Sequence, residues 1–349
     1  KQLEDLGLLQ FLDWDISAAR QSVQECLRIR ERRIASKCQP VAEARLLLGH
    51  IAMGVEEYDA AEQECTAVLE LLPEDTRSTA RAHALIALGR MRRCQNRLIE
   101  ADELLREAQQ AAIATQEREA EVLVQALQSR AGLELMLGDL VAAERLASQA
   151  VDLARMRLGE SAIIYGSALG TLADVKYERD ENAEAERLYR DSLGIMEQRF
   201  GAESVMTARC INNLANVHLD RGDLVVAQTL YERAARTFLE RQGRLSVDYA
   251  LAVSNLGSVF RDRKQWPKAE ENAREALTIV EEVAGQDSLD CRYRRGELLE
   301  LLLLQRKVDH EASDLIRATL SYDEELVRQA SRFQTERQQL TTQQSLRST

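Results

Sequence analysis

Four histidines and six cysteines are the first places to look for chemistry in this 349-residue chain. Hydrolytic and metal chemistry need such groups in tight sets: Cys pairs at CxxC spacing, two His one helical turn apart, or a Ser on a glycine elbow with His and Asp partners. Here His50, His83, His218 and His310 are dispersed. Cys26, Cys38, Cys65, Cys94, Cys210 and Cys291 form no CxxC and have no His at metal-ligand spacing. GxSxG, HExxH and GxxxxGK[ST] are all absent. Gly166-Ser-Ala-Leu-Gly170 falls inside an apolar helical stretch, where a glycine serves packing. The acidic pairs Glu56-Glu57 and Glu270-Glu271 stand at helix starts, where the positive end of the helix dipole favours them. These patterns predict a chain that is not an enzyme and that holds no metal and no cofactor.

The polar residues that do recur at a fixed spacing are amides and hydroxyls. Asn212, Asn213 and Asn216 are matched 42 residues on by Ser254, Asn255 and Ser258. Arg209, Arg261 and Tyr177 fall about one helical turn away on the same faces. Asn is a mediocre helix former, so three within five residues of a helix cost stability and ask for a use. A carboxamide offers both a donor and an acceptor, which suits bidentate hydrogen bonding to the backbone of an extended peptide. These nine residues are the candidate peptide-binding set; a solvated polar face, or hydrogen bonds between neighbouring repeats, is the plainer alternative.

Positioning them falls to a two-helix unit. In Ala208–Ala235 the apolar positions Leu214, Val217 and Leu219 precede a turn at Asp220–Asp223, after which Leu224, Ala227, Leu230, Tyr231 and Ala234 resume. Steps of three and four define two amphipathic helices. One hairpin cannot bury its apolar face alone, and this one recurs. Ala101, Ala143, Ala185, Ala227 and Ala269 are spaced by 42 residues, and Ala19, Ala61 and Ala312 extend the series with slips of one or two. Thirteen residues before these alanines stand Leu6, Leu48, Leu88, Arg130, Leu172, Leu214, Leu256 and Leu299. The next positions are Gly7, Gly49, Gly89, Ala131, Ala173, Ala215, Gly257 and Glu300. A bulky residue followed by a tiny one lets one helix press closely on the other.

The Leu-Gly pair on the first helix and the Ala pairs on the second resemble the tetratricopeptide repeat (TPR) family. The period of 42, against a usual period of about 34, makes the array similar to the kinesin-light-chain type. Residues 211–235 and 253–277 carry that likeness best, and Arg199–Ser204 and Val283–Ser288 resemble its inter-repeat link. HEAT or armadillo repeats, of similar period, do not demand the Leu-Gly pair. The resemblance implies an all-α, right-handed α-solenoid of about eight helix-turn-helix units, with the first helices lining a concave groove. It also implies that Asn212, Asn213, Asn216 and Asn255 grip a peptide in that groove. The register position at which a carboxylate clamp carries Lys holds Asn212, Ser254 or Gly170, so the resemblance does not extend to a clamp. Toward the N-terminus the corresponding positions are Leu46, Leu47 and His50, then Ile86, Ala87, Arg90 and Arg93. That end is apolar with a basic edge, open to a helix or an acidic apolar motif unless its apolar residues pack against the next unit.

The expected organisation is a TPR array over 1–320, followed by a capping helix and polar tail over 321–349. Ser331–Arg347 resembles the segment that joins such arrays to caspase-like CHAT protease domains, which implies a second reading: the regulatory region of a larger protease or signalling ATPase. The formal net charge of −12 disfavours non-specific binding to nucleic acid or anionic membranes. No apolar run approaches the roughly 18 residues of a membrane span. Scattered cysteines suit a reducing compartment, and the expectation is a cytoplasmic scaffold with a protein or peptide partner. The sequence leaves the oligomeric state open.

Overall fold

The fold was obtained as a computed structural model. It describes residues 2–3, 5–6, 15–33, 39–55, 57–73, 78–115, 120–286, 288–305 and 315. The described residues contain fourteen α-helices and no strand. In chain order they are α1 (Ile16–Arg33), α2 (Gln39–Gly54), α3 (Tyr58–Leu71), α4 (Thr79–Cys94), α5 (Leu98–Ala114), α6 (Ala120–Met136) and α7 (Leu140–Leu158). They continue as α8 (Ile163–Glu178), α9 (Asn182–Phe200), α10 (Val205–Asp220), α11 (Leu224–Gln242), α12 (Val247–Asp262), α13 (Trp266–Val283) and α14 (Leu289–Leu304). The chain forms two compact units, Lys1–Ala252 and Val253–Thr349, with the boundary inside α12. Gly7, Ala312, the helix expected after Tyr322 and the CHAT-like segment 331–347 lie outside the described residues.

The pairing of bulky and tiny residues works as its chemistry requires. Ala61, Ala101, Ala143, Ala185 and Ala227 are 0 % exposed, as are Ala131, Ala173 and Ala215 on the facing first helices. A Cβ placed on Gly49 would stand 3.6 Å from the Ala61 carbonyl oxygen, and one on Gly89 3.5 Å from that of Ala101. In the second unit a Cβ on Gly257 would stand 3.4 Å from the Ala269 carbonyl oxygen. The first helix thus rides on the backbone of the second, a separation that a larger residue would widen. Gly166 serves the same end: a Cβ there would meet Ile195 Cγ2 at 3.0 Å.

Five of the hairpins close the first helix with the same turn. Asn96, Gly138, Asp180, Gly222 and Lys264, each 42 residues from the next, all take positive φ, from 58° to 78°. Around them the backbone makes one repeated set of bonds, as in Arg221 N to Val217 O (3.2 Å), Gly222 N to Leu219 O (2.9 Å) and Asp223 N to His218 O (2.8 Å). These bonds satisfy carbonyls that the end of the helix leaves without partners. Ser204, Ser246 and Ser288 start the next helices by accepting a hydrogen bond from the amide three residues on, each at 3.2 Å. Ser78, at the same kind of position before α4, donates instead to Gln39 Oε1 at 2.6 Å. Pro267 lies in the first turn of α13, where a missing N–H costs nothing.

In the first unit each of α2, α4, α6, α8 and α10 packs on the second helix that follows it and on the one before. These first helices also touch one another from hairpin to hairpin, and contacts among successive second helices are weaker. First helices that crowd together while second helices spread apart make a curved stack with the first helices inside. That inner face is the candidate site.

Candidate functional site

The inner face of the first unit is polar and internally bonded. On α10, Asn216 Oδ1 accepts a hydrogen bond from the Tyr231 hydroxyl at 2.6 Å. One repeat earlier, Asp174 Oδ1 accepts from the Tyr189 hydroxyl, also at 2.6 Å. The two pairs occupy equivalent register slots, so a tyrosine of the second helix reaches through the hairpin to orient a groove residue of the first. Asn213 Nδ2 donates to the same Asp174 oxygen at 3.4 Å, linking α10 to α8. Gln128 of α6 links α6 to α8 through Ser167 Oγ (2.9 Å) and Thr171 Oγ1 (3.3 Å). Arg209 forms a forked ion pair with Asp248, its Nη2 at 2.7 Å and Nε at 3.0 Å. Tyr177 is half-buried and packs against the apolar cluster beneath α8.

The nine candidate residues do not behave alike. Asn212 is only 2 % exposed, inside the packing of α10. Asn213, Asn216 and Tyr177 are half-buried and Arg209 is exposed. In the second unit Ser254, the register equivalent of Asn212, is 3 % exposed. Its hydroxyl accepts from Arg294 Nη1 at 2.7 Å and donates to Glu297, tying α12 to α14. The slot two residues before the Leu therefore faces the neighbouring first helix. Asn255 and Ser258 are half-buried, and half-buried Arg261 pairs with Asp262 at 3.1 Å.

Toward the N-terminus Leu46, Ile86 and Ala87 are buried, so the apolar positions there pack against their neighbours. The polar slots remain on the inner face. His50 and His83 meet edge to face with ring centroids 6.4 Å apart. Burial, with His83 and Arg90 nearby, lowers the His50 pKa to about 4. Arg90 reaches solvent, yet its pKa is lowered, first by desolvation and then by the charges of Arg93 and Arg209. Asp174 has its pKa raised to about 6 by burial, against the lowering effects of the Tyr189 hydrogen bond and of Arg93. It was absent from the candidate set, although it shares the slot two residues after the Leu with His50, Arg90, Asn216 and Ser258. Register, not residue type, was the signal that would have found it.

Among the described residues no group of three or more His, Cys, Asp and Glu is arranged to hold a metal ion. No described helix is long and apolar enough to cross a membrane. Burial pushes the Cys65 thiol up to about 12, which makes it a small apolar side chain and not a nucleophile.

A family model, the MalT-like TPR region, matches residues 42–346. No curated protein matches the chain. Among solved structures, the Rap protein complexed with competence and sporulation factor is 14% identical, covers 94% of this chain and 98% of its own, and has a TM-score of 0.62. BtubC (BKLC) from P. vanneervenii is 19% identical over 75% of this chain and 92% of its own, with a TM-score of 0.48. A Podosopora anserina putative kinesin light chain with nearly identical TPR-like repeats is 15% identical over 60% and 99%, with a TM-score of 0.47.

Proposed function

Since the chain belongs to the MalT-like TPR region family, we propose that it is a protein-interaction scaffold that holds an extended peptide against the inner face of its first unit. The observation that carries this reading is the row of groove residues fixed from behind. Tyr231 holds the Asn216 carbonyl oxygen, and Tyr189 holds Asp174. Polar groups oriented before the partner arrives lose less freedom on binding. The Rap protein of the same fold, described in complex with a factor, supports a binding role of this kind. Asn213, Asn216, Tyr177 and Arg209 are the contacts assigned to the first unit. Asn255, Ser258 and Arg261 are their counterparts on the second. Cys26, Cys65, Cys210 and Cys291 are free thiols, which suits a cytoplasmic setting.

The test is selection of nonapeptides from a displayed library on the wild-type chain, followed by affinity measurement on the double variant Asn213→Ala/Asn216→Ala. Loss of two amide contacts is expected to weaken the selected peptides about tenfold or more, at roughly 1 kcal/mol each; the melt should fall as well, because the buried Tyr231 hydroxyl loses its acceptor, so affinities are compared at a temperature where both proteins are fully folded. Peptides that bind both proteins equally would remove the inner face from the account.

A further inference from the structure

Away from the inner face, the hairpin turns of the first unit form an edge of their own. Along it the second residue of α7, α9 and α11 is Val141, Ala183 and Val225, each 42 residues from the next and each exposed. Val141 is 74 % exposed and Val225 69 %. Exposed Val226 follows in α11, and exposed Met136 ends α6 in the turn that leads to Val141. Single exposed apolar residues are ordinary on a protein surface. These share one register slot on three successive hairpins, which makes them a ladder.

The same three turns are acidic. Residues 136–144, 176–186 and 218–228 hold nine acidic residues against three basic ones, Lys176, Arg179 and Arg221. The three cations are engaged within the edge: Lys176 and Arg179 bridge Glu144 and Glu181, and Arg221 reaches Glu186 and Asp223. Among the described residues Asp139, Glu178, Asp180 and Asp220 join no ion pair. Asp139 caps α7. Glu178 and Asp220 have no such duty: they are exposed and are the last residues of α8 and α10, where the negative end of the helix dipole disfavours a carboxylate. Two equivalent acids kept where they weaken their own helices ask for a use outside the fold. In the preceding hairpin the apolar slot holds half-buried Ile99, and Arg92, Arg93 and Arg97 surround that turn, so the acidic fringe begins at α6.

We propose that this edge docks a basic amphipathic helix of a partner protein, independently of what the inner face holds. The first helices of the three hairpins, α6, α8 and α10, pack on one another in turn, and packed helices lie about 8–10 Å apart. A helix rises about 10.5 Å in seven residues. Apolar side chains seven residues apart therefore set one against each of Val141, Ala183 and Val225, and Lys or Arg on the flanking positions meets the carboxylates. The excess of acid disfavours an anionic membrane or a nucleic acid at this edge. It also disfavours a second copy of the chain, which carries a net charge of −12 itself.

The probe is a fluorescein-labelled, Ala-rich peptide of about three heptads, with Leu at every seventh position and Lys on the flanks. Two controls are a scrambled peptide of the same composition and an analogue with Glu in place of Lys. Anisotropy against the whole chain should show the probe binding about tenfold more tightly than the scrambled peptide, because only the probe gathers its leucines on one face. The Glu analogue should not bind. Val141→Ser/Val225→Ser should weaken the probe about tenfold with an unchanged melt, since both side chains are exposed. Glu178→Gln/Asp220→Asn should weaken it and flatten its salt dependence, with a melt no lower than wild type. Asn213→Ala/Asn216→Ala, measured where it is folded, should bind the probe as the wild type does. Absence of probe binding, or equal binding of the scrambled peptide, overturns the proposal. So does full binding by Val141→Ser/Val225→Ser. Loss of binding in the asparagine variant would move the helix to the inner face and also overturn it. Sedimentation showing a dimer that Val141→Ser/Val225→Ser dissociates would assign the edge to a second copy, with the same consequence.

Discussion

Asp174 and Asn216 make a natural comparison, because the same tyrosine contact holds an acid in one repeat and an amide in the next. The acid titrates and the amide does not. With its pKa raised to about 6 by burial, Asp174 keeps its proton in the fold while the unfolded chain has released it. Between about pH 4 and pH 6 the native state therefore binds more protons, and stability falls as pH rises through that window. Asp174→Asn should be neutral near pH 4 and stabilising by about 1–3 kcal/mol at pH 7. The check is the difference between variant and wild-type urea stabilities across pH, in which other groups cancel. A difference that stays flat would mean the carboxyl is better solvated than its position indicates. His50 works in the opposite sense. Its pKa of about 4 keeps it neutral in the fold while the unfolded chain gains a proton below about pH 6.5, so its contribution is lost as pH falls. The asparagines were legible because Asn inside a helix is anomalous by residue type. Asp174 was not, since a charged residue on a helix usually signifies only a solvated face.

At the scale of the element, the turn that closes each hairpin was only partly legible. Arg221-Gly222-Asp223 announces a turn through its glycine. Lys264 occupies the same conformation, φ 59°, with nothing in its residue type to suggest it. Asn and Asp tolerate the left-handed region better than other side chains, as at Asn96 and Asp180. Lys264 has neither glycine's freedom nor a short polar side chain that can bond locally. Lys264→Gly should thus stabilise the second unit by about 0.5–1 kcal/mol, and Gly222→Ala should destabilise the first by about 1 kcal/mol. Chemical denaturation of both variants tests the pair. A neutral Gly222→Ala would show that the turn relaxes to negative φ. The helix pairs themselves were readable because close approach admits only tiny residues: Ala227 and Ala215 could be set opposite one another from spacing alone, and both are 0 % exposed. Which slot of the first helix faces the hollow was harder. Asn212 and Asn213 are adjacent in sequence, yet one is buried and the other half-buried, a difference set by the neighbouring helix.

For the whole molecule, a chain assembled from nearest-neighbour contacts need not unfold as one body. The first unit contains several apolar clusters, including one that runs from Val124 to Val217. Among the described residues of the second unit, one cluster centres on Ala269, Ala273, Leu298, Leu301 and Leu302, with Trp266 packed against it. Three of those five come from α14, where Leu301 and Leu302 are buried while Leu303 and Leu304 are 45% and 52% exposed. Less buried apolar surface means less stabilisation, since the hydrophobic term scales with area at about 25 cal/mol per Å². The second unit should accordingly unfold at lower urea than the first. Trp266 reports on it directly, and Trp14→Phe leaves it the sole tryptophan, because the chain has two. Its emission should then show a lower midpoint than far-UV circular dichroism, which is weighted toward the longer first unit. Ala269→Phe should lower the Trp266 midpoint further by overpacking, at about 1–3 kcal/mol, while leaving the main dichroism transition in place. Coincident midpoints that move together would make the chain a single cooperative body, with α12 transmitting its stability across the boundary at Ala252.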